Sequence, residues 1–392
     1  MDDVLICGGG PAGSTAATLL RQYGHSVRLI EKEKFPRFHI GESLLPADLP
    51  VFQRLGVELP ASQYLRKDGA MFVNERTGEE ATYLFADALP EAIPHAYQAE
   101  RAIFDDLLLK RSQQLGASIH EEEKLVSVDC DAAGVVAVTD KGTYHARYFV
   151  DATGQDAFLA RKARTVDPLK GLGRAAVFCH FSGLKPEVIA ELHESGNIRV
   201  LILEDGWVWL IPLADGRLSA GVVRRDVAMN EKVLEETFAA SPMITRLTEG
   251  ATRTHTRVIR NFSFKNTISH GARFCCIGDA SCFLDPVFSS GVTLALISAE
   301  HMADTLHPAL VNGTEKDPDL MIPTRKHMDR GYAAMGGLVR RFYESNLVDH
   351  LLFAKDPPEK FRKGLISILA ADLWRDDNVF QDMLEKTSRY SL

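Results

Sequence analysis

The chain opens on a short unbroken apolar run, Val4-Leu5-Ile6-Cys7, the pattern of a strand buried on both faces. A turn, Gly8-Gly9-Gly10-Pro11-Ala12-Gly13-Ser14, follows and leads into the helix-like segment Thr15-Ala16-Ala17-Thr18-Leu19-Leu20-Arg21, closed by Gly24. A second run, Ser26-Val27-Arg28-Leu29-Ile30, ends on Glu31. Together these predict a strand–helix–strand unit with parallel strands. Two later runs have the same texture: Tyr148-Phe149-Val150-Asp151 before Ala152-Thr153-Gly154, and Phe274-Cys275-Cys276-Ile277 before Gly278-Asp279-Ala280.

From about 174 to 264 the pattern changes to hairpins. Residues 174–182 read as a strand, and Ile198–Leu203 alternates before Asp205-Gly206 turns it into Trp207-Val208-Trp209-Leu210-Ile211-Pro212. Asp215-Gly216 then turns into Leu218–Val223, and two Asp-Gly turns between apolar runs predict an antiparallel sheet. The tail from about 325 to 390 reads as helix, broken once at Asp356-Pro357-Pro358. The chain carries no internal repeat and no low-complexity tract.

Composition narrows the function classes. At 392 residues the chain has length for two to three domains at roughly 150 each. Its net charge of -8, with Arg340-Arg341 as the nearest thing to a basic cluster, argues against a nucleic-acid partner. No apolar stretch approaches the roughly 18 residues that span a bilayer, and no basic leader precedes the first strand, so a cytoplasmic protein without a membrane span is expected. The six cysteines form no CxxC pair and no zinc spacing; reduced, mostly buried thiols and no metal are expected.

The first turn carries chemistry in its context: a strand before it, a helix after it, and an acid 18 residues past Gly13. Gly8, Gly10 and Gly13, with Ala12 and Ser14, let backbone approach a pyrophosphate at the positive helix N-terminus, and Pro11 suits the first helical turn. Glu31 is placed to accept from a ribose diol. Asp279, at the later strand end, is placed to accept from a ribityl chain.

This set of GxGxxG with Glu31, then Asp151-Ala152-Thr153-Gly154, then Gly278-Asp279-Ala280, resembles the FAD-binding fold of the glutathione-reductase type in its aromatic-hydroxylase-like branch. That resemblance implies an α/β FAD-binding domain that is discontinuous (1–75, 98–170 and 265–325), an inserted antiparallel β-sheet substrate domain (76–97 and 171–264) and a helical C-terminal segment (326–392). With no second GxGxxG, a dedicated NAD(P)H domain is not expected.

Further motifs resemble the flavin-dependent halogenases. Trp207-Val208-Trp209-Leu210-Ile211-Pro212 matches their WxWxIP signature, and Phe283-Leu284-Asp285-Pro286-Val287-Phe288-Ser289-Ser290-Gly291 matches FxxPxxSxG. Lys67 stands before Gly69-Ala70, where that family carries its active-site lysine, and Arg37-Phe38-His39-Ile40-Gly41-Glu42-Ser43-Leu44 is similar to its loop beside the flavin. The likeness is to the branch acting on pyrroles or phenols, free or carrier-bound: Phe288 replaces the glutamate of the tryptophan halogenases, Thr293 departs from many relatives, and the long C-terminal extension of several carrier-protein enzymes is lacking.

The resemblance implies an enzyme of natural-product biosynthesis that takes reduced FAD from a separate flavin reductase, uses O2 and chloride or bromide to make hypohalous acid, and delivers it to the aromatic through Lys67. It implies FAD contacts at Arg37, Gly41, Glu42, Ser43, Gln98, Arg101, Pro286, Gly291 and Val292. A halide nest would lie at Ser290-Gly291, and Trp207, Trp209 and Phe288 would wall the substrate tunnel. Blander readings stay open: Arg37 paired with Glu42 on the surface, Arg101 at an exposed helix start, Ser289-Ser290-Gly291 as an ordinary cap, the tryptophans as core, Arg66 rather than Lys67 as the buried cation. At the level of function, a monooxygenase, an isoprenoid-reductase-like oxidoreductase or a degenerate flavoprotein remain the alternatives.

Overall fold

The computed structural model describes residues 1–172, 175–225, 227–260, 263–344, 351–354 and 357–386. The opening unit forms as its pattern predicts: β1 (Asp2–Cys7), α1 (Pro11–Gln22, with Pro11 at the first helical position) and β2 (Val27–Ile30), the two strands parallel. Val4, Leu5 and Ile6 are fully buried. Strand Thr143–Asp151 lies parallel to β1 on its other side, and Phe274–Cys276 lies parallel to that strand in turn. The carboxyl ends of these four parallel strands therefore converge on one edge, where doubly wound sheets bind ligands.

Next in the chain come α2 (Asp48–Leu55), β3 (Tyr64–Lys67), β4 (Gly69–Asn74), β5 (Glu80–Leu84), β6 (Ala96–Ala99) and α3 (Arg101–Gln114). β3 pairs with β6 as a separate ribbon, and Tyr64 and Ala99 pack in the core of the first sheet with Phe104. β4 crosses over: although it precedes the expected boundary at 76, it pairs in parallel with Ile198–Ile202 in the second sheet. That sheet is thus antiparallel except for this one pair.

Both Asp-Gly hairpins are present: Ile198–Ile202 pairs with Gly206–Pro212, and that strand with Leu218–Arg224. Alternation sorts the middle strand. Trp207, Trp209 and Ile211 point into one core, and Val208 and Leu210 into another. Gly221 sits opposite Trp209 because a Cβ there would lie 2.3 Å from the indole. The expected strand forms over Ala175–Ser182; its expected start at Arg174 lies outside the described residues.

The long helix Gly291–Asn312 packs on α1, and the tail forms helices Ile322–Glu344, Glu359–Leu369 and Val379–Lys386. The expected break before Glu359 is present, Pro358 occupying the N-cap, while Asp356 lies outside the described residues. A second break after Leu369 was not expected; Ala371 turns with a φ of 59° and Asn378 Oδ1 accepts from the Phe380 and Gln381 amides. All six cysteines are free, five buried and Cys130 half-buried. Among the described residues no helix is long and apolar enough to cross a membrane.

Candidate functional site

At the strand ends a cavity of about 410 Å³ runs from the glycine turn to the tryptophan strand. Gly8, Gly10, Ala12, Glu31, Arg37, Gly41, Glu42, Ser43, Arg101, Asp279, Pro286, Gly291 and Val292 line it, together with Trp207 and Trp209. The sequence brings these residues together from both sheets.

The glycines divide by what crowds them. A Cβ on Gly13 would lie 1.9 Å from the Gly8 carbonyl oxygen, and one on Gly8, whose φ is +106°, 2.1 Å from that of Ala152. These two serve the packing of the turn itself. By contrast, a Cβ on Gly10 would meet only Arg37 Nη2, at 3.6 Å, and one on Gly291 only Phe283, at 3.8 Å. Both leave open cradles at the starts of α1 and the long helix, where free amides and the helix dipole favour an anion. Gly13 and Ser14 do not line the cavity; Ser14 Oγ donates to the Gly9 carbonyl and braces the turn.

Glu31 is pre-set. Its carboxylate accepts from the Gly9 amide at 2.6 Å and the Glu33 amide at 2.8 Å, which fixes it at the rim of the cavity. The surface pairing of Arg37 with Glu42 is not formed. Arg37 pairs with Asp105 at 3.0 Å and Glu33 at 3.2 Å, while Glu42 is buried against His180 Nε2 at 2.8 Å. Nor is Arg101 exposed: it pairs with buried Asp105 and donates to the Ile40 carbonyl, holding the loop of residues 37–43 against α3. Burial pushes Asp279 up to about 7, against the pull of Arg101.

Gln98 does not reach the cavity. It is fully buried, its amide nitrogen donating to the Gly196 carbonyl at 2.8 Å, so it ties β6 to the second sheet instead of contacting a flavin. The sequence reading also missed lining groups from distant elements: His39, Leu125, Phe158 and Asp156, the last paired with Lys32. Desolvation pulls His39 down to about 4, leaving it neutral near pH 7. Only the loop residue His39 had a neighbouring signal, the Arg37–Ser43 motif.

FAD fits this cavity: two glycine cradles at helix starts, Arg37 beside one of them, an oriented carboxylate for the ribose, and an apolar far end walled by Trp207, Trp209 and Phe178.

Lys67 ends β3, outside the cavity lining. It is 1% exposed, while neighbouring Arg66 turns outward to Asp68. Its Nζ donates to Ser43 Oγ at 2.8 Å and to the Leu44 carbonyl at 3.0 Å, and lies 5.3 Å from the Phe85 ring centre. Burial pushes its ammonium down to about 7, opposed by the charge of Asp48. Ser43 lines the flavin cavity and Lys67 does not, so the serine is the link between the lysine and the cavity.

Phe288 and Ser290 are buried and their side chains do not line the cavity, although the flanking Ser289 and Gly291 do. Phe288 packs between Phe72 and Phe342, in the same buried cluster as the two tryptophans. Ser289 turns with a φ of 59°, and Ser290 is the N-cap of the long helix without a side-chain cap bond. The Trp207 indole donates to Tyr343 Oη at 2.9 Å, and Tyr343 Oη donates to Asp285 at 2.8 Å. Trp209 donates to Ser219 Oγ at 3.2 Å.

A family model described as Tryptophan halogenase matches residues 3–92 and 86–317. Over 316 residues the chain is 33% identical to a tryptophan 2-halogenase of Chondromyces crocatus, covering 76% of this chain and 59% of that protein; it therefore spans less than two thirds of that relative's length. It is 28% identical over 411 residues to a 1H-pyrrole-2-carbonyl-(peptidyl-carrier protein) chlorinase of Pseudomonas fluorescens, covering 95% of this chain and 89% of that one. The solved structure of the flavin-dependent brominase Bmp2 superposes with a TM-score of 0.85 at 25% identity, covering 98% of this chain and 97% of the other.

Proposed function

The chain belongs to the flavin-dependent halogenase family, and from that premise we propose that it halogenates an electron-rich pyrrole or phenol, with Lys67 delivering the halogen. The pyrrole chlorinase likeness over nearly the whole chain favours a substrate presented on a carrier protein, with reduced flavin supplied by a separate reductase. When bound, reduced FAD supplies with O2 the oxidising equivalent that turns chloride or bromide into hypohalous acid.

The protein's own residues then have distinct tasks. The amides at Gly10 and the Arg37 guanidinium hold the pyrophosphate, and Glu31 the ribose diol. The N–H groups of Ser290 and Gly291, at the start of a 22-residue helix, hold the halide. Trp207 and Trp209 keep the aromatic substrate away from the flavin, which suppresses direct oxygen insertion. Lys67 holds hypohalous acid by a hydrogen bond, or as a chloramine, and presents electrophilic halogen to the ring.

The observation that carries this reading is the burial of Lys67 beside Ser43 of the cavity lining, with no carboxylate in contact among the described residues. A lysine in such a place costs stability and titrates near neutrality, which is the property of a reacting group rather than a structural one.

The test combines purified protein with FAD, a flavin reductase, NADH, O2 and either chloride or bromide, over free and carrier-loaded pyrroles and phenols. Mass spectrometry should show the halogen isotope pattern in the product. In Lys67→Ala that product falls by about 10²-fold or more while FAD affinity and flavin reoxidation are kept. Oxygenated or reduced products without halogen would overturn the reading. Retained halogenation in Lys67→Ala would remove the lysine from it.

A further inference from the structure

Asp48 and Lys67 grip the two ends of one peptide group. The Leu45 amide donates to Asp48 Oδ2 at 2.9 Å, and the Leu44 carbonyl, the other half of the same peptide unit, accepts from Lys67 Nζ at 3.0 Å. Both side chains are buried, Asp48 at 0% exposure and Lys67 at 1%. A peptide held between an anion at its N–H and a cation at its C=O is polarised along its length, and each bond strengthens the other.

Among the described residues no other charge competes at this spot. On β3 itself Arg66 points outward to Asp68. The loop before α2 offers Lys67 only Ser43 Oγ and the Leu44 carbonyl, and the turn after β5 offers the Phe85 ring. The long helix brings the Thr293 hydroxyl toward Asp48, outside ordinary hydrogen-bond geometry with Oδ1. Among the described residues Asp48 is the charge that acts on Lys67.

We propose that Asp48 is the positioning residue of Lys67: through the Leu44–Leu45 peptide it fixes the amine beside Ser43, and its charge favours the protonated ammonium. The proposal rests on the reading of Lys67 given above. Burial supports the same picture from both sides, pushing Asp48 up to about 6 and Lys67 down to about 7, so that both groups change charge near the working pH.

Asp48→Asn tests it with little change of volume, because the asparagine oxygen still accepts from the Leu45 amide while the charge is gone. The readout is the titration of the Lys67 side-chain 13C resonance, assigned by its absence in Lys67→Ala. In Asp48→Asn the midpoint should fall by about one unit, and the alkaline limb of the halogenation pH profile should move the same way, with FAD affinity unchanged. A reciprocal measurement does not depend on that variant folding: in Lys67→Ala the Asp48 carboxyl resonance should titrate at higher pH than in the wild type. An unchanged lysine midpoint in Asp48→Asn, or an unchanged Asp48 midpoint in Lys67→Ala, overturns the proposal. If both midpoints move but Lys67→Ala still halogenates, the pair stands and the delivery role of Lys67 falls.

Discussion

Gly13 works by contact rather than by torsion. With the Gly8 carbonyl 1.9 Å from where its Cβ would be, Gly13→Ala forces the glycine turn open. We expect a loss of about 1–3 kcal/mol in stability, as for other overpacked sites, and FAD affinity reduced by about 10-fold or more. Denaturant melts and flavin fluorescence titration measure the two, and wild-type affinity in Gly13→Ala would contradict this account. Such residues are legible because turn chemistry is local: the glycines, Glu31 and the Lys67-Asp68-Gly69 junction announce themselves within a few positions. Pairings across the chain are not. Glu42 finds His180 from 138 positions away, and Gln98 is taken by Gly196. Asp48 stands in the first turn of α2, where an acid favourable to the dipole is ordinarily solvated, and the sequence reading did not single it out. Its burial comes from elements the local pattern does not reveal.

The tail helix Ile322–Glu344 is fastened to the flavin wall by one hydroxyl. Tyr343 Oη accepts from the Trp207 indole and donates to Asp285, whose Oδ1 caps the Pro286–Phe288 turn ahead of Ser290-Gly291. Tyr343→Phe leaves the indole N–H without this acceptor, at a cost of about 1–3 kcal/mol. Thermal melts should register that loss. If the bond holds Trp207 as a wall, the O2 consumed per halogenated product should rise as well; an unchanged ratio would limit Tyr343 to stability. Elements with strong local texture, the βαβ unit and the two Asp-Gly hairpins, were readable. The membership of β4 was not, since nothing within Gly69–Asn74 says that its partner is Ile198–Ile202. The second tail break also escaped, because Ala371 carries no residue signal for its left-handed φ.

At the scale of the whole molecule, a buried acid raised above its ordinary value gives stability a pH dependence with a definite sign. Asp279 sits at about 7 when folded against an ordinary value of 3.8. Between those limits the folded chain keeps a proton that the unfolded chain has released, so this carboxyl's contribution to stability falls as pH rises and levels off above about 7. Flavin-free wild type and Asp279→Asn, denatured at about pH 5 and about pH 8, should show the variant gaining on the wild type at the higher pH. A difference that is flat or of opposite slope would mean that Asp279 is not desolvated. The change from strand–helix–strand to hairpin texture was legible from local patterns, but the docking of the tail was not. Tyr83 Oη reaches the Leu352 carbonyl and Ser367 Oγ the Leu89 amide across some 270 residues or more, contacts that no periodicity encodes.

The place where the chain changes sheets has a mechanical meaning. β3 ends at Lys67 in the ribbon that packs with the first sheet, and β4 begins at Gly69 in the second, with Asp68 alone between them. The lysine thus sits at a seam with one residue of slack. Two trans peptide steps span at most about 7 Å, so neither sheet can be displaced far from the other at this point without dragging the backbone of residue 67 along, and with it the amine's distance to Ser43.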